Sequence, residues 1–237
     1  MPDGQGRTRA LKFEASQSTR LALHKHTEKW LGNDTSAVEE AAQRGGVDDS
    51  GLAQPVHLSL GEATLSLAGD PSLVLTPLLC RALASAIPPL ERMRQWGLAY
   101  GTRVHGTSLA TLFRRMAPGL PTLTLVQDTA GYVFGCYTPD AWKVAPRFYG
   151  SGETFVFQLE PHRLMWRWNS LSHVKNDFFQ YSTPSCLALG GDGHFALHLD
   201  QELLQGSSGL CGTFGSPCLS SSEEFRVALM EVWQPVS

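Results

Sequence analysis

Apolar residues are scattered over the first fifty positions and become periodic further along. Leu78, Leu79, Ala82, Leu83, Ala86 and Ile87 recur at helical spacing and mark one apolar face. Thr76 is a suitable N-cap, and Pro77 sits where its missing N–H costs nothing. Pro88-Pro89 then stops the helix. Trp96–Thr102 reads as a strand. Thr107 or Ser108 caps a second helix that carries Leu109, Leu112, Phe113 and Met116, and Pro118-Gly119 ends it. From Thr122 the period falls to two. Leu123 and Leu125 alternate with threonines, Asp128-Thr129-Ala130-Gly131 turns the chain, and Tyr132–Tyr137 returns as a hairpin. Thr154–Glu160 with Arg163–Trp168 predicts another, as does Cys186–Leu189 with Phe195–Asp200 around a Gly190-Gly191-Asp192-Gly193 turn. Glu224–Trp233 is the last strand.

Many antiparallel strands with two early helices predict an α+β domain: two packed antiparallel sheets, a β-sandwich flanked by helices. The domain is expected over 72–237. Residues 1–71 read as a polar, largely flexible N-terminal extension, with one amphipathic segment at Thr19–Leu31.

Charge sharpens this division. Residues 1–71 hold seven Lys/Arg and ten Asp/Glu, whereas residues 72–237 hold twelve of each. Within the second part the signs separate. Arg81, Arg92, Arg94, Arg103, Arg114 and Arg115 cluster early against Glu91 alone. Asp192, Asp200, Glu202, Glu223, Glu224 and Glu231 cluster late against Arg226. Mutual screening on a solvated surface is the simpler reading; the alternative is docking through Arg92, Arg94, Arg103, Arg114 and Arg115. A net charge of −3 supplies no global field for nucleic acid. No apolar run spans a membrane, no signal peptide opens the chain, and five cysteines without framework spacing suit a reducing cytoplasm.

The sequence carries no phosphate-binding loop, dinucleotide fingerprint or nucleophile elbow. His194 and His198 lie four apart on a predicted strand, about 13 Å from each other, too far to share a metal ion. Cys211 and Cys218 bracket a Gly/Ser/Pro loop. A redox disulfide there needs β-carbons within about 4.5 Å, and two buried small hydrophobes is the plainer reading. Glu153 follows Gly150-Ser151-Gly152 and precedes an apolar strand. Its carboxylate is expected to accept backbone N–H groups from the tight turn, with an acid/base or contact role as the alternative. His105, before Gly106, carries the same two readings. Asp192, between Gly191 and Gly193, suits left-handed turn geometry. No catalytic, metal or cofactor-binding set emerges.

Val104-His105-Gly106-Thr107-Ser108-Leu109, Phe148-Tyr149-Gly150-Ser151-Gly152-Glu153-Thr154-Phe155, Leu189-Gly190-Gly191-Asp192-Gly193-His194-Phe195-Ala196-Leu197, Leu199-Asp200, Cys211-Gly212-Thr213-Phe214 and Met230-Glu231-Val232-Trp233 follow one another in that order. In this order and spacing, over about Ser72 to Trp233, the chain resembles the TLDc domain of the oxidation resistance proteins. Phe195-Ala196-Leu197-His198-Leu199-Asp200 stands where the family often has Trp at the fourth place, and Gly215-Ser216 where Asn often follows Thr-Phe. The resemblance implies a β-sandwich without a settled catalytic site or cofactor. It implies protection against oxidative stress and binding of the vacuolar-type proton ATPase, regulating it or promoting its disassembly. The expected protein is a monomer, cytoplasmic or peripheral at vacuolar or lysosomal membranes, with no membrane insertion. The alternative is an enzyme, redox-reactive or hydrolytic, working through a cysteine or Glu153.

Overall fold

The computed structural model describes residues 53–168 and 176–236, all of which belong to the compact unit beginning at Val47. The segment Thr19–Leu31 lies outside the described residues. In chain order, β1 is Val56–His57 and β2 is Ser66–Ala68; helix α1 (Pro77–Ala86) and the single turn α2 (Pro89–Arg92) follow. Strand β3 (Gln95–Gly101) leads into the single turn α3 (Thr102–His105) and helix α4 (Leu109–Arg115). Then come β4 (Thr122–Asp128), β5 (Val133–Thr138), β6 (Phe155–Glu160), β7 (Leu164–Arg167) and β8 (Gln180–Thr183). The chain closes with β9 (Cys186–Leu189), β10 (Leu197–Asp200), β11 (Gln205–Ser207) and β12 (Glu224–Pro235).

The helices start where the sequence places them. Thr76 Oγ1 accepts the Leu79 N–H at 3.3 Å, and Ser108, rather than Thr107, accepts the Thr111 N–H at 3.4 Å. The last turn of α1 carries no basic residue of its own. Its orphan carbonyls are met from elsewhere: Arg92 Nη1 donates to Ala84 at 3.2 Å and Arg167 Nη2 to Ala86 at 2.8 Å.

The strands form one hydrogen-bonded sheet in the order β1-β7-β6-β5-β4-β12-β11-β10-β9-β8, with β3 also paired to β12 and β2 to β3. The sequence predicts two packed antiparallel sheets; the strands are joined in one continuous sheet. The cause is the length of β12. Its first residues pair with β11, and its later ones pair with β4 on one side and β3 on the other. One strand thus belongs to both wings.

Serving both wings requires a change of phase. Phe225 and Val227 face the cluster that also receives Met230 and Val232, so odd positions give way to even ones. The register shifts between Val227 and Leu229, where this parity changes. That cluster takes Val126, Phe134, Cys136 and Val156 from one wing and Leu187, Leu189, Leu197 and Leu199 from the other. The opposite face of β4 and β6 sends Leu123, Leu125, Phe155 and Phe157 into a second cluster, closed by Leu79 and Leu83 of α1. Trp142, Trp166 and Trp233 are buried and Trp168 half-buried, as their apolar surface demands.

Two carboxylates are buried with the structure. Asp128 Oδ1 accepts the N–H groups of Ala130 and Tyr132, each at 2.9 Å, and its Oδ2 accepts that of Ser221 at 2.9 Å. Glu231 accepts from the Leu73 N–H at 2.8 Å, the Trp233 indole at 3.0 Å and the Ser72 hydroxyl. Such donors compensate the lost hydration of a buried carboxylate.

Residues 53–71, expected within the flexible extension, add to this domain. β1 pairs antiparallel with β7, β2 parallel with β3, and Ala53 N–H bonds the Gly215 carbonyl at 2.9 Å. Leu58 and Leu65 are buried. Strands of two and three residues leave no readable alternation, which is why the sequence pattern passes over them. A fragment beginning at Ser72 loses this burial and uncovers the edges of β3 and β7. It is expected to melt at least about 5 °C below a fragment beginning at Ala53, and to self-associate in sedimentation where the longer one does not.

Candidate functional site

The glycine-punctuated motifs meet around the β9–β10 connection. Gly190 N–H donates to the Phe179 carbonyl at 2.8 Å, and Gly191 N–H to Thr213 Oγ1 at 2.9 Å. Gly212 N–H returns to the Asp192 carbonyl at 2.8 Å, and Gly193 bridges Cys211. The Leu189–Gly193 and Cys211–Phe214 stretches, separate in the chain, are thus laced together. Gly190 has φ +80°, and a β-carbon there would lie 2.4 Å from Cys211 Sγ. Asp192 takes the left-handed conformation at φ 64°, as its place in the turn predicts.

The Phe148–Phe155 motif joins the same end through β8. Tyr149 and Gln180 exchange backbone hydrogen bonds at 2.9 and 2.8 Å, and Phe148 packs on Phe178 and Tyr181 with ring centroids 4.8 and 5.2 Å apart. Gly150 lies against Phe179, and Gly152 lies under Trp168, where a β-carbon would stand 2.3 Å from the indole. Of the two readings of Glu153, the geometry does not show the turn-acceptor one. Its side chain is exposed and its carboxylate accepts no hydrogen bond among the described residues. Ser151 closes the turn instead, its carbonyl accepting from Thr154 N–H at 3.0 Å. The adjacent backbone is satisfied without the carboxylate.

His105 stands apart from this knot. Its Nδ1 accepts the Gly101 N–H at 3.0 Å, its ring stacks on Tyr100, and Gly106 ends the turn at φ 78°. His194 lies exposed in the loop and His198 half-buried in β10. Among the described residues no group of three His, Cys, Asp or Glu could hold a metal ion.

The five thiols are free. Cys80, Cys136 and Cys211 are buried. Burial pushes the Cys136 pKa up to about 12 and raises that of Cys211; burial and then Glu231 raise that of Cys80. All three are thereby held as thiols, the unreactive form. An open groove lined by Thr129, Leu204, Gln205, Arg226 and Val227 contains one cation and no general base.

The five docking candidates divide. Arg92 caps α1, and Arg94 pairs with Glu91 at 3.2 Å. Arg115 Nε donates to the Ala99 carbonyl at 2.6 Å. Arg103 on α3 and Arg114 on α4 are exposed, without a side-chain partner among the described residues. Between Glu91 and Asp128 the chain contains no acidic residue. Val104, next to Arg103, is 65% exposed. Sequence charge alone reveals the cluster but not which members are engaged internally.

Residues 69–236 match the TLDc domain. The chain belongs to the TLDc family. It is 42% identical over 167 residues to oxidation resistance protein 1 of Rattus norvegicus, covering 69% of this chain and 19% of that protein. It is 36% identical over 174 residues to nuclear receptor coactivator 7 of Homo sapiens, covering 73% of this chain and 18% of the relative. The match to nuclear receptor coactivator 7 of Gallus gallus is 32% over 231 residues and covers 94% of this chain and 24% of that protein. The chain therefore spans about a fifth of the curated relatives it matches over the TLDc region.

Within this TLDc domain the motif glycines act as close-packing points, whereas Glu153 is a surface side chain. Gly190→Ala is expected to lose about 3 kcal/mol in urea unfolding, through the Cys211 clash and the left-handed backbone. Glu153→Gln should stay within about 0.5 kcal/mol of wild type.

His198, where the family often carries Trp, supplies a pH dependence. Its ring stacks on Phe195 at 5.7 Å, and burial lowers its pKa against the opposing pull of Asp200. The unfolded chain then takes up the proton first, so stability falls as the pH drops through about 6.5. His198→Trp is expected to flatten the melting temperature between about pH 7 and 5, measured by calorimetry across that range.

Proposed function

We propose that this chain is a non-catalytic interaction module in defence against oxidative stress, and that its partner is the vacuolar-type proton ATPase. The names of the oxidation resistance relatives support the stress role, and that of nuclear receptor coactivator 7 supports protein binding. The TLDc resemblance suggests the ATPase, and with it a cytoplasmic monomer recruited to vacuolar or lysosomal membranes. No helix among the described residues is long and apolar enough to cross a membrane. The two wings of the sheet, packed as the layers of a sandwich, serve as a rigid support for the docking corner.

One observation carries the reading: Arg103 and Val104 on α3 and Arg114 on α4 are exposed, and neither arginine has a neutralising partner among the described residues. Exposed cations beside an apolar tip suit an acidic protein surface, where they steer encounter. A domain without nucleotide chemistry acts on such a machine by binding one of its states better than another. A tenfold preference is worth about 1.4 kcal/mol, so changing an assembly from joined to separated takes several such increments. The enzyme alternative loses support from the three buried thiols and from the unaided exposure of Glu153.

Reversing both charges, Arg103→Glu with Arg114→Glu, is expected to slow association with purified proton ATPase about tenfold or more, reduce its salt dependence and leave the melting curve unchanged. Wild-type protein that neither binds the complex at micromolar concentration nor alters its assembly or ATP hydrolysis defeats the partner assignment. Peroxide consumption lost on replacing Cys186 or Cys218 would revive the enzyme.

A further inference from the structure

The turn that displays Arg103 and Val104 has only four residues, too few to hold itself closed in water. Its stability comes from three side chains. The Tyr100 hydroxyl donates to the Gly106 carbonyl at 2.5 Å and accepts the Ser108 N–H at 3.2 Å. Thr102 Oγ1 accepts the Met230 N–H at 3.1 Å. His105 reaches back and accepts the Gly101 N–H at 3.0 Å, its ring lying 5.8 Å from that of Tyr100 and tilted by 25°. The first two contacts involve hydroxyl groups that keep their protons throughout the physiological range. The third involves an imidazole.

A neutral imidazole has one nitrogen that donates and one that accepts. Acceptance at Nδ1 puts the His105 proton on Nε2. A second proton can only enter at Nδ1, turning the acceptor into a donor that faces the Gly101 N–H. Two N–H groups cannot share that contact. The other groups facing the ring are Tyr100 from β3 and Arg115 from α4; on β12, Glu231 is the register partner of Gly101. Glu231 is occupied by Ser72, Leu73 and Trp233. The net setting opposes a positive charge on the ring: partial burial, then Arg115, lowers the His105 pKa, against a smaller upward pull from the Gly101 backbone.

We propose that His105 is a proton-operated latch on the docking corner: a proton taken from solvent at Nδ1 breaks the bond to Gly101 and releases the turn that carries Arg103 and Val104. The consequence for docking rests on the interaction-module reading above; the latch itself is a property of the free protein. The latched state binds the proton less readily than the open one. The latch is therefore closed above the ordinary histidine range and opens as the pH falls through it. Gly106, already at positive φ, lets the released turn swing without rebuilding α4.

The test is an NMR titration of the 237-residue chain, free of partner, between about pH 8 and 5. At the upper end the His105 ring nitrogens should show the Nε2–H tautomer. As the pH falls, the Gly101 amide resonance should move with the same midpoint as His105, and its exchange protection factor should drop about tenfold or more. His105→Asn places an amide oxygen near the former Nδ1 position and should keep Gly101 protected throughout; His105→Ala should leave it unprotected at every pH. The wild-type titration decides even if a variant folds poorly. A Gly101 amide that stays flat while His105 titrates, or a neutral ring with its proton on Nδ1, overturns the latch. Either result would leave ATPase binding at neutral pH untouched, so the two proposals fail separately.

Discussion

Everything in this domain is referred to β12. A strand of twelve residues pairs with β11 near its start and with β3 and β4 over the rest, so both wings are registered against a single backbone. The requirement is geometric: side chains alternate every residue, yet the strand must point Phe225, Val227, Met230 and Val232 into one shared cluster. The register shift near Val227–Leu229 reconciles these demands. Glu231 then fastens the entry to α1 onto the same strand through Ser72 and Leu73. Packing, phase and a buried carboxylate thus converge on one strand.

The motif glycines have a different task. They permit backbones and rings to approach where any side chain would intrude, as Gly152 does beneath Trp168 and Gly190 beside Cys211. Gly135 allows β5 to cross so near Thr124 that a β-carbon would overlap its carbonyl oxygen. Sequence signatures of this kind record steric necessity. They lie at the opposite extreme from Arg103 and Arg114, whose surroundings impose no such demand and leave them available to another molecule.

The legible part of the fold is the part with long periods. Leu79, Leu83 and Ala86 announce α1, and Leu123 and Leu125 announce β4, because burial selects one face over several turns or pleats. β8 escapes because its inward residues are Gln180 and Ser182, polar groups bonded to Asp140 and Tyr149. β11 escapes because Gln205-Gly206-Ser207 has no apolar member. The joining of two wings into one sheet depends on a bulge, and hydrophobic alternation does not say where register slips. At the candidate surface the arginine cluster was readable as charge. Which guanidinium caps a helix and which faces water is settled by tertiary geometry, as Arg92 and Arg114 illustrate. The turn at Glu153 is closed by a nearer acceptor, the Ser151 carbonyl, which sequence spacing does not distinguish from the carboxylate.

The burial of Cys80, Cys136 and Cys211 has a consequence for durability. Peroxide attacks the thiolate, and a group kept protonated inside a close-packed interior is withheld from it. The shape maintained around Cys136 and Cys211 does not depend on the redox poise of its surroundings at those sites. Oxidant that attacks exposed thiolates finds none at these three sites, so the packing around them carries no thiol-based redox switch.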